Sequence, residues 1–413
     1  MLTLKSFISF AAFLMTSQLV FGDPEIRNGI LDLQNVNLND TRVALKGDWY
    51  YFENQLISPP DILESGKSFA YFPRLWNEMR KPESGMGYAT YALFIVAPKD
   101  AKSLALEIPQ LYSSYSIWVN NILIASNGKV GTSKSESVPQ WLPQTVTFEN
   151  TYDTIKIVLQ ISNFDHYKGG AIGPIYLGSA ELFKHSRKIS IIGGIAESAT
   201  LVAIFILFST IYFFGKRKRI IMYFALLCLT WAIRVNFSNL YLFIHYVPDF
   251  DWTIMVKIEY ITLFLTMIWA ILFVSRLFPK EENKIVKFII VGANILFISF
   301  TTFAEPIFFT HWLTLYLSFA VVLLVYAVFV VLWGWINQRS GANYITASVL
   351  LGVFIFTYDV FSYGGTFTYK PIIFSACYII FFSLLAIALL MHLNIIETKQ
   401  KSITKLTYKD LYK

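Results

Sequence analysis

Charged side chains inside long apolar runs are the first feature of this 413-residue sequence that could do chemistry. Glu197, Arg234, Glu259 and Asp359 stand within such runs, and Lys257 and His311 lie near the ends of two others. A charge in hydrocarbon costs about 2.5–3.5 kcal/mol even on the mildest scale, so these residues should face a protein interior and find partners there. By helical rise the four fall in one half of a helix bundle, within roughly 15 Å of the same surface. Two arrangements satisfy them. One is a structural ion pair between Glu197 and Arg234 on neighbouring antiparallel helices. The other is a hydrated polar cavity with Arg234 at its hub, because one guanidinium can serve two carboxylates.

A second set lies in the N-terminal part. A sugar or small-molecule site needs aromatic platforms and a few fixed polar groups. Trp76, Tyr112, Tyr115, Trp141, Asn163, His166 and Tyr167 supply those types, and Gly169-Gly170 would let backbone approach a ligand closely. Asn163 and His166 lead this set, since a polar cluster after an apolar strand falls in a loop, where binding residues concentrate. Trp49 and Trp118 read instead as core fillers on strands.

Catalytic chemistry finds no foothold. The sequence holds no phosphate-binding loop, no dinucleotide fingerprint, no HExxH and no GxSxG in a usable context. His166, His185, His245, His311 and His392 are scattered, with no pair at metal-ligand spacing on one helix face. A retinal pigment would need a lysine buried in a late span, and Lys370 stands only at an edge. The expectation is a protein that is not an enzyme and uses no cofactor or metal.

The elements that must carry these residues follow from composition and patterning. Hydrophobic residues make up 55% and charged residues 15%, against about 45–50% and about 25% in soluble domains. That places much of the chain in a lipid bilayer. The net charge of +7 comes from basic residues crowding short loops, a topological signature that needs no nucleic acid. Cys228 and Cys377 both sit in apolar runs, which excludes a disulfide framework.

Residues 1–22 read as a signal peptide: Lys5, an apolar Phe7 to Met15, and small Gly22 at the cleavage site. Residues 23–185 read as one all-β ectodomain. Leu104 to Ile108, Tyr115 to Val119 and Ile155 to Ile161 alternate with period two, and Asn120-Asn121, Asn127-Gly128 and Gly169-Gly170 supply turns. Residues 186–393 hold seven apolar runs, near 189–214, 220–244, 254–278, 285–304, 311–336, 344–363 and 371–393, each near the ~20 residues that span hydrocarbon. Residues 394–413 form a short basic tail with Lys399, Lys401, Lys405, Lys409 and Lys413.

Loop charges orient the spans. Lys216 to Arg219, the Arg276 to Lys287 region and Arg339 mark one side as cytoplasmic, and Asp249, Asp251 and Glu305 mark the other as outside. Lys184, Arg187 and Lys188 precede the first span on the outer side, against that trend. The expected location is a bacterial inner membrane, with the N-terminal domain periplasmic or extracellular and the C-terminus inside.

Four segments carry a family resemblance: Leu45 to Trp49, Gly85 to Tyr91, Trp118 to Asn121 and Ser162 to Gly170. They resemble galactose-binding-like jelly-roll modules. The order signal peptide, jelly roll, seven spans is similar to the bacterial seven-transmembrane receptors with diverse intracellular signalling modules. The resemblance covers about residues 40–395. It implies an all-β jelly-roll (sandwich) ectodomain followed by an all-α seven-helix transmembrane bundle. It also implies an envelope receptor that binds a carbohydrate or other small ligand outside and relays it to an effector inside. In that family the last span leads into an effector domain, whereas this sequence ends at Lys413. Either a separate cytoplasmic effector receives the signal or the chain is a truncated form of a longer receptor. The expected partners are thus the bilayer, the ligand and that effector, with homo-oligomerisation left open. A transporter with a substrate-binding cap is the competing class, although the spans show no internal repeat and no evident mid-membrane break.

Overall fold

In the computed structural model, residues 24–63, 68–80, 83–99, 101–215, 217–339, 341–363 and 371–393 are described. The expected signal peptide and basic tail lie outside the described residues. The N-terminal part is a β-sandwich. Its larger sheet runs Phe69–Phe72, Gly47–Glu53, Gly87–Val96, Thr154–Asn163, Ser114–Val119 and Ile122–Asn127, with Ile30–Asp32 added in parallel beside Gly87–Val96. The smaller sheet runs Gln144–Glu149, Ser103–Ile108, Tyr176–Ser179 and Val43–Ala44. The three alternating segments of the sequence all lie in these strands. Asn120 and Asn121 both take left-handed backbone, φ 47° and 70°, the geometry that a two-residue hairpin between right-twisted strands requires.

Alternation puts Trp49, Tyr91, Leu106, Ile117, Ile157 and Leu159 between the two sheets, where each is almost completely buried. At about 25 cal/mol per Å² of apolar surface removed from water, side chains of this size dominate the stability of the sandwich.

Seven long helices follow among the described residues: α1 (Ala180–Phe214), α2 (Arg219–Phe237), α3 (Trp252–Leu277), α4 (Lys284–Phe303), α5 (Leu313–Ile336), α6 (Ala342–Tyr363) and α7 (Pro371–His392). Six are long and apolar enough to cross a membrane, and α6 adds a shorter apolar stretch, Ala342–Ile355. Most neighbours in sequence pack together, α5 packs on α3 and reaches α4 through the Tyr316 hydroxyl on Asn294, and α7 closes against α1. That closure is tight because Gly193 brings α1 close to Ile372 and Ser375 of α7. The outer faces carry Ile206, Phe213, Phe288, Phe303, Val322 and Phe329 in exposed positions, as a bundle surrounded by lipid tails must. The protein is a multi-pass membrane protein.

Two helices differ from their apolar runs. α1 begins at Ala180, before its apolar run, because the Ser179 side chain accepts from Leu182 N (3.3 Å) and starts the helix at the last strand. The second run stops at Phe237 rather than near 244. There Ser238 Oγ folds back on the Arg234 carbonyl (2.8 Å). Asn239 and Tyr241 turn left-handed, and only a short helix, Leu242–Tyr246, continues. Asn tolerates that conformation and so breaks the helix there.

Candidate functional site: the seam between sandwich and bundle

The loop after strand Thr154–Asn163 is a self-contained knot. Asn163 is fully buried, and its Nδ2 lies 2.7 Å from the His166 carbonyl, 2.8 Å from that of Gly85 and 3.0 Å from that of Lys168. Its Oδ1 accepts from His166 N (3.1 Å). Gly169 has the Gly85 carbonyl where a Cβ would stand, 1.9 Å from that position. Gly170, at φ 85°, lies on the Trp76 ring. Trp76 is itself buried, donates through Nε1 to the Tyr91 hydroxyl (2.8 Å) and carries the Arg80 guanidinium 4.0 Å above its ring. The structure therefore brings Trp76, Asn163, Gly169 and Gly170 together as one packed unit. Tyr115 is apart from them, buried in the sandwich core, where burial pushes its phenol pKa up.

Three of the remaining aromatic candidates meet elsewhere. Tyr112 stacks on His166 at 4.6 Å, and Trp141 meets both edge-on, at 5.7 Å from Tyr112 and 5.2 Å from His166. These rings face the helices. Trp141 reaches Trp252, the first residue of α3, at 5.3 Å, and Tyr241 at 6.2 Å. One apolar cluster runs through Tyr112, Trp141, Tyr241, Ile244, Trp252 and Met255. Burial among these rings holds the His166 imidazole neutral, its pKa lowered to about 3.

Polar contacts frame this seam. The Tyr241 hydroxyl sits 2.9 Å from Gln110 Oε1 of the sandwich and 3.2 Å from Glu259 Oε2 of α3. One phenolic hydrogen cannot serve both oxygens, but the Gln110 amide can turn its NH2 toward the phenol. Arg234 Nη1 of α2 then donates to the Glu259 carbonyl at 2.7 Å. A chain of contacts thus runs from a sandwich loop through Tyr241 into the bundle. Around it, Gln140 Nε2 donates to the Pro248 carbonyl (3.0 Å), Tyr167 N to Thr310 Oγ1 (3.1 Å) and Arg187 Nη2 to the Pro143 carbonyl (3.1 Å). The Tyr167 ring lies edge-on to His311 at 4.2 Å.

The intramembrane charges do not form one cluster among the described side chains, since Glu197 stands apart from Arg234 and Glu259. Glu197 is buried beside Trp231, whose Nε1 donates to it at 3.1 Å, and beside Ser375 of α7. Among the described residues no ion pair joins it to Arg234. Arg234 and Glu259 are together, and the Asp359 side chain lies outside the described residues. Gln110, Tyr241 and Trp252 complete the seam without having stood out as site residues. Trp252 carried a signal, a tryptophan at the start of an apolar run, whereas Gln110 carried none.

A β-sandwich seated on the ends of a seven-helix membrane bundle defines a class of membrane proteins with a soluble module coupled to the spans. Residues 198–396, most of the helical domain, match the family described as 7TM diverse intracellular signalling. No curated protein sequence matches the chain. Among solved structures, a GH2 beta-galacturonidase from Eisenbergiella tayi bound to galacturonate is 13% identical and aligns over 34% of this chain and 24% of its own, at TM-score 0.26. A putative beta-galactosidase from Bacteroides fragilis is 13% identical over 33% of this chain and 23% of its own, at 0.25. A Ruminococcus gnavus beta-glucuronidase is 14% identical over 34% and 29%, at 0.26. The chain thus spans about a quarter of the length of the first of these enzymes.

Proposed function

We propose that the protein is an envelope receptor in a bacterial inner membrane. The sandwich lies outside, binds a carbohydrate-like or other small ligand, and hands the change to the seven helices and on to a cytoplasmic effector. The observation that carries this reading is the contact chain Gln110–Tyr241–Glu259–Arg234 beneath the Trp141 rings. It joins a sandwich loop to the polar interior of α2 and α3, so a shift of the sandwich has a direct route into the bundle. A ligand biases the bundle only by binding one of its states better than another. The helical family supports the signalling role.

The test uses the full chain in detergent. Sugars, glycan fragments and envelope-derived small molecules are screened for a rise in melting temperature, which follows from ligand linkage. Hydrogen exchange is then compared with and without the stabilising compound. The reading expects slower exchange in residues 238–252 as well as in the sandwich. Protection that stops at the sandwich would sink the relay.

A further inference from the structure

A cleft of about 1070 Å³ opens between the sandwich and the top of α1, on the flank of the seam. Glu181, Lys184, His185 and Lys188 all line it, and their spacing of three and four residues puts them on one helix face. Asn37 to Asp40 and Lys102 line it from the sandwich. The turn holding Asp40 is fixed at the helix start, where Ser179 N donates to the Leu38 carbonyl at 2.9 Å. Asp40 and Glu181 therefore stand at the end of the cleft away from the bilayer, and Lys184 and Lys188 at the end nearest it. Arg187 plays no part, since it is turned to the Pro143 carbonyl.

Below Lys188 the same face of α1 continues as Ile192, Ile195, Val202 and Ile206, between 38% and 57% exposed. A charged cleft at the bilayer surface thus sits directly above an open apolar track. Lys184 and Lys188 are also out of keeping with their side of the bundle, where Asp249, Asp251 and Glu305 prevail in the loops.

We propose that this cleft holds the headgroup of an ethanolamine-class membrane phospholipid, its phosphate on Lys184 and Lys188 and its ammonium toward Asp40 and Glu181. One acyl chain follows Ile192, Ile195, Val202 and Ile206. The order of charge selects the class. In a bilayer the phosphate is tied to the glycerol and the amine extends outward, so the lipid presents minus below plus. The cleft presents the complement, with Lys184 and Lys188 below and Asp40 and Glu181 above, Lys102 being the base on the sandwich side of that upper end. A glycerol headgroup brings no cation of its own and leaves two carboxylates to the single Lys102, and a quaternary choline cannot donate hydrogen bonds to them.

The test reconstitutes the full chain in nanodiscs of equimolar ethanolamine, glycerol and choline phospholipids and identifies the lipid retained after extraction by native mass spectrometry. The wild type should keep the ethanolamine lipid. The double variant Lys184→Gln, Lys188→Gln should lose about thirtyfold in retention, the scale set by two surface lysines on phosphate headgroups. Glu181→Gln should move the preference toward the glycerol lipid. These side chains are exposed, and unchanged melting curves will show that each variant is folded. Equal retention of the three lipids, or a double variant that retains as the wild type does, overturns the proposal. So does displacement by soluble glycerophosphoethanolamine at matched concentration, which would make the ligand a free phosphate ester.

Discussion

The loop 163–170 and the seam beneath it are adjacent, yet they treat their polar atoms in opposite ways. In the loop, the two N–H donors of Asn163 are shared among three carbonyls and its Oδ1 accepts one backbone N–H, and Gly169 lies backbone to backbone on Gly85. No part of it can move without breaking several bonds. In the seam, Trp141 Nε1, Trp252 Nε1 and His166 Nε2 are buried and have no hydrogen-bond partner among the described residues. The rings there touch edge to face, a contact that many relative positions can offer. A buried donor without a partner costs about 1–3 kcal/mol, so this arrangement is not the tightest that these residues could adopt. The contrast assigns the roles: the knot moves as a rigid piece, and the seam is where rearrangement is cheap.

Breaking the knot should have the largest effect. Asn163→Ala strands the Gly85, His166 and Lys168 carbonyls in a buried loop, and we expect a loss of about 3 kcal/mol in thermal or denaturant melts of the full chain. A cost below that of a surface change would show that the loop is not the rigid member.

Acid should act next, through the one ring shared by both regions. Folding lowers the His166 pKa from its ordinary 6.5 to about 3. Below pH 6.5 the unfolded chain takes up a proton that the folded chain refuses. The stability is therefore complete above pH 6.5 and drains away as the pH falls toward 3, by at most about 1.4 kcal/mol per pH unit. Melts between pH 7.5 and about 5, above most carboxylate titrations, should show this slope, and His166→Phe should flatten it. An unchanged slope in that variant would place the acid sensitivity outside the seam.

Tyr241→Phe tests the seam alone. The ring stays in its cluster while the hydroxyl between Gln110 and Glu259 is removed. We expect about 1 kcal/mol of stability lost and a loss of ligand-dependent exchange protection in α3. Protection that survives would route the relay through the rings.

Much of this design was legible in the sequence, and the parts that were not share a cause. The apolar runs and alternating strands encode their own elements, because hydropathy and period are local properties. Tyr112, Trp141 and His166 stood out as an aromatic and polar group, but residue type does not reveal which way a loop faces, and all three turn toward the helices. An ion pair of Glu197 with Arg234 is one of the two arrangements the sequence allows, and Glu197 meets Trp231 instead, one helical turn away on the same helix. Helical rise gives depth, whereas the partner depends on the rotation and register of two packed helices, which side-chain shape decides. Gln110 and Tyr241 are 131 residues apart, a contact that only the seating of one domain on another creates.

The smallest effect is expected at the rim, and it sharpens the comparison most. Lys134 reaches Glu305 at 3.1 Å, the ion pair that crosses from the sandwich to the helices among the described residues, and stands 3.9 Å from Asp165 within the sandwich itself. Lys134 and Glu305 are well exposed, 59% and 64%, so solvent screens their attraction. Burial pushes the Asp165 carboxyl pKa up by more than Lys134 pulls it down, which marks that pair as weak. Lys134→Gln should then cost less than roughly 0.5 kcal/mol, and the difference from wild type should vanish in high salt. If it costs as much as Tyr241→Phe, charge at the rim holds the two domains together, and the rings of the seam do not govern how they move.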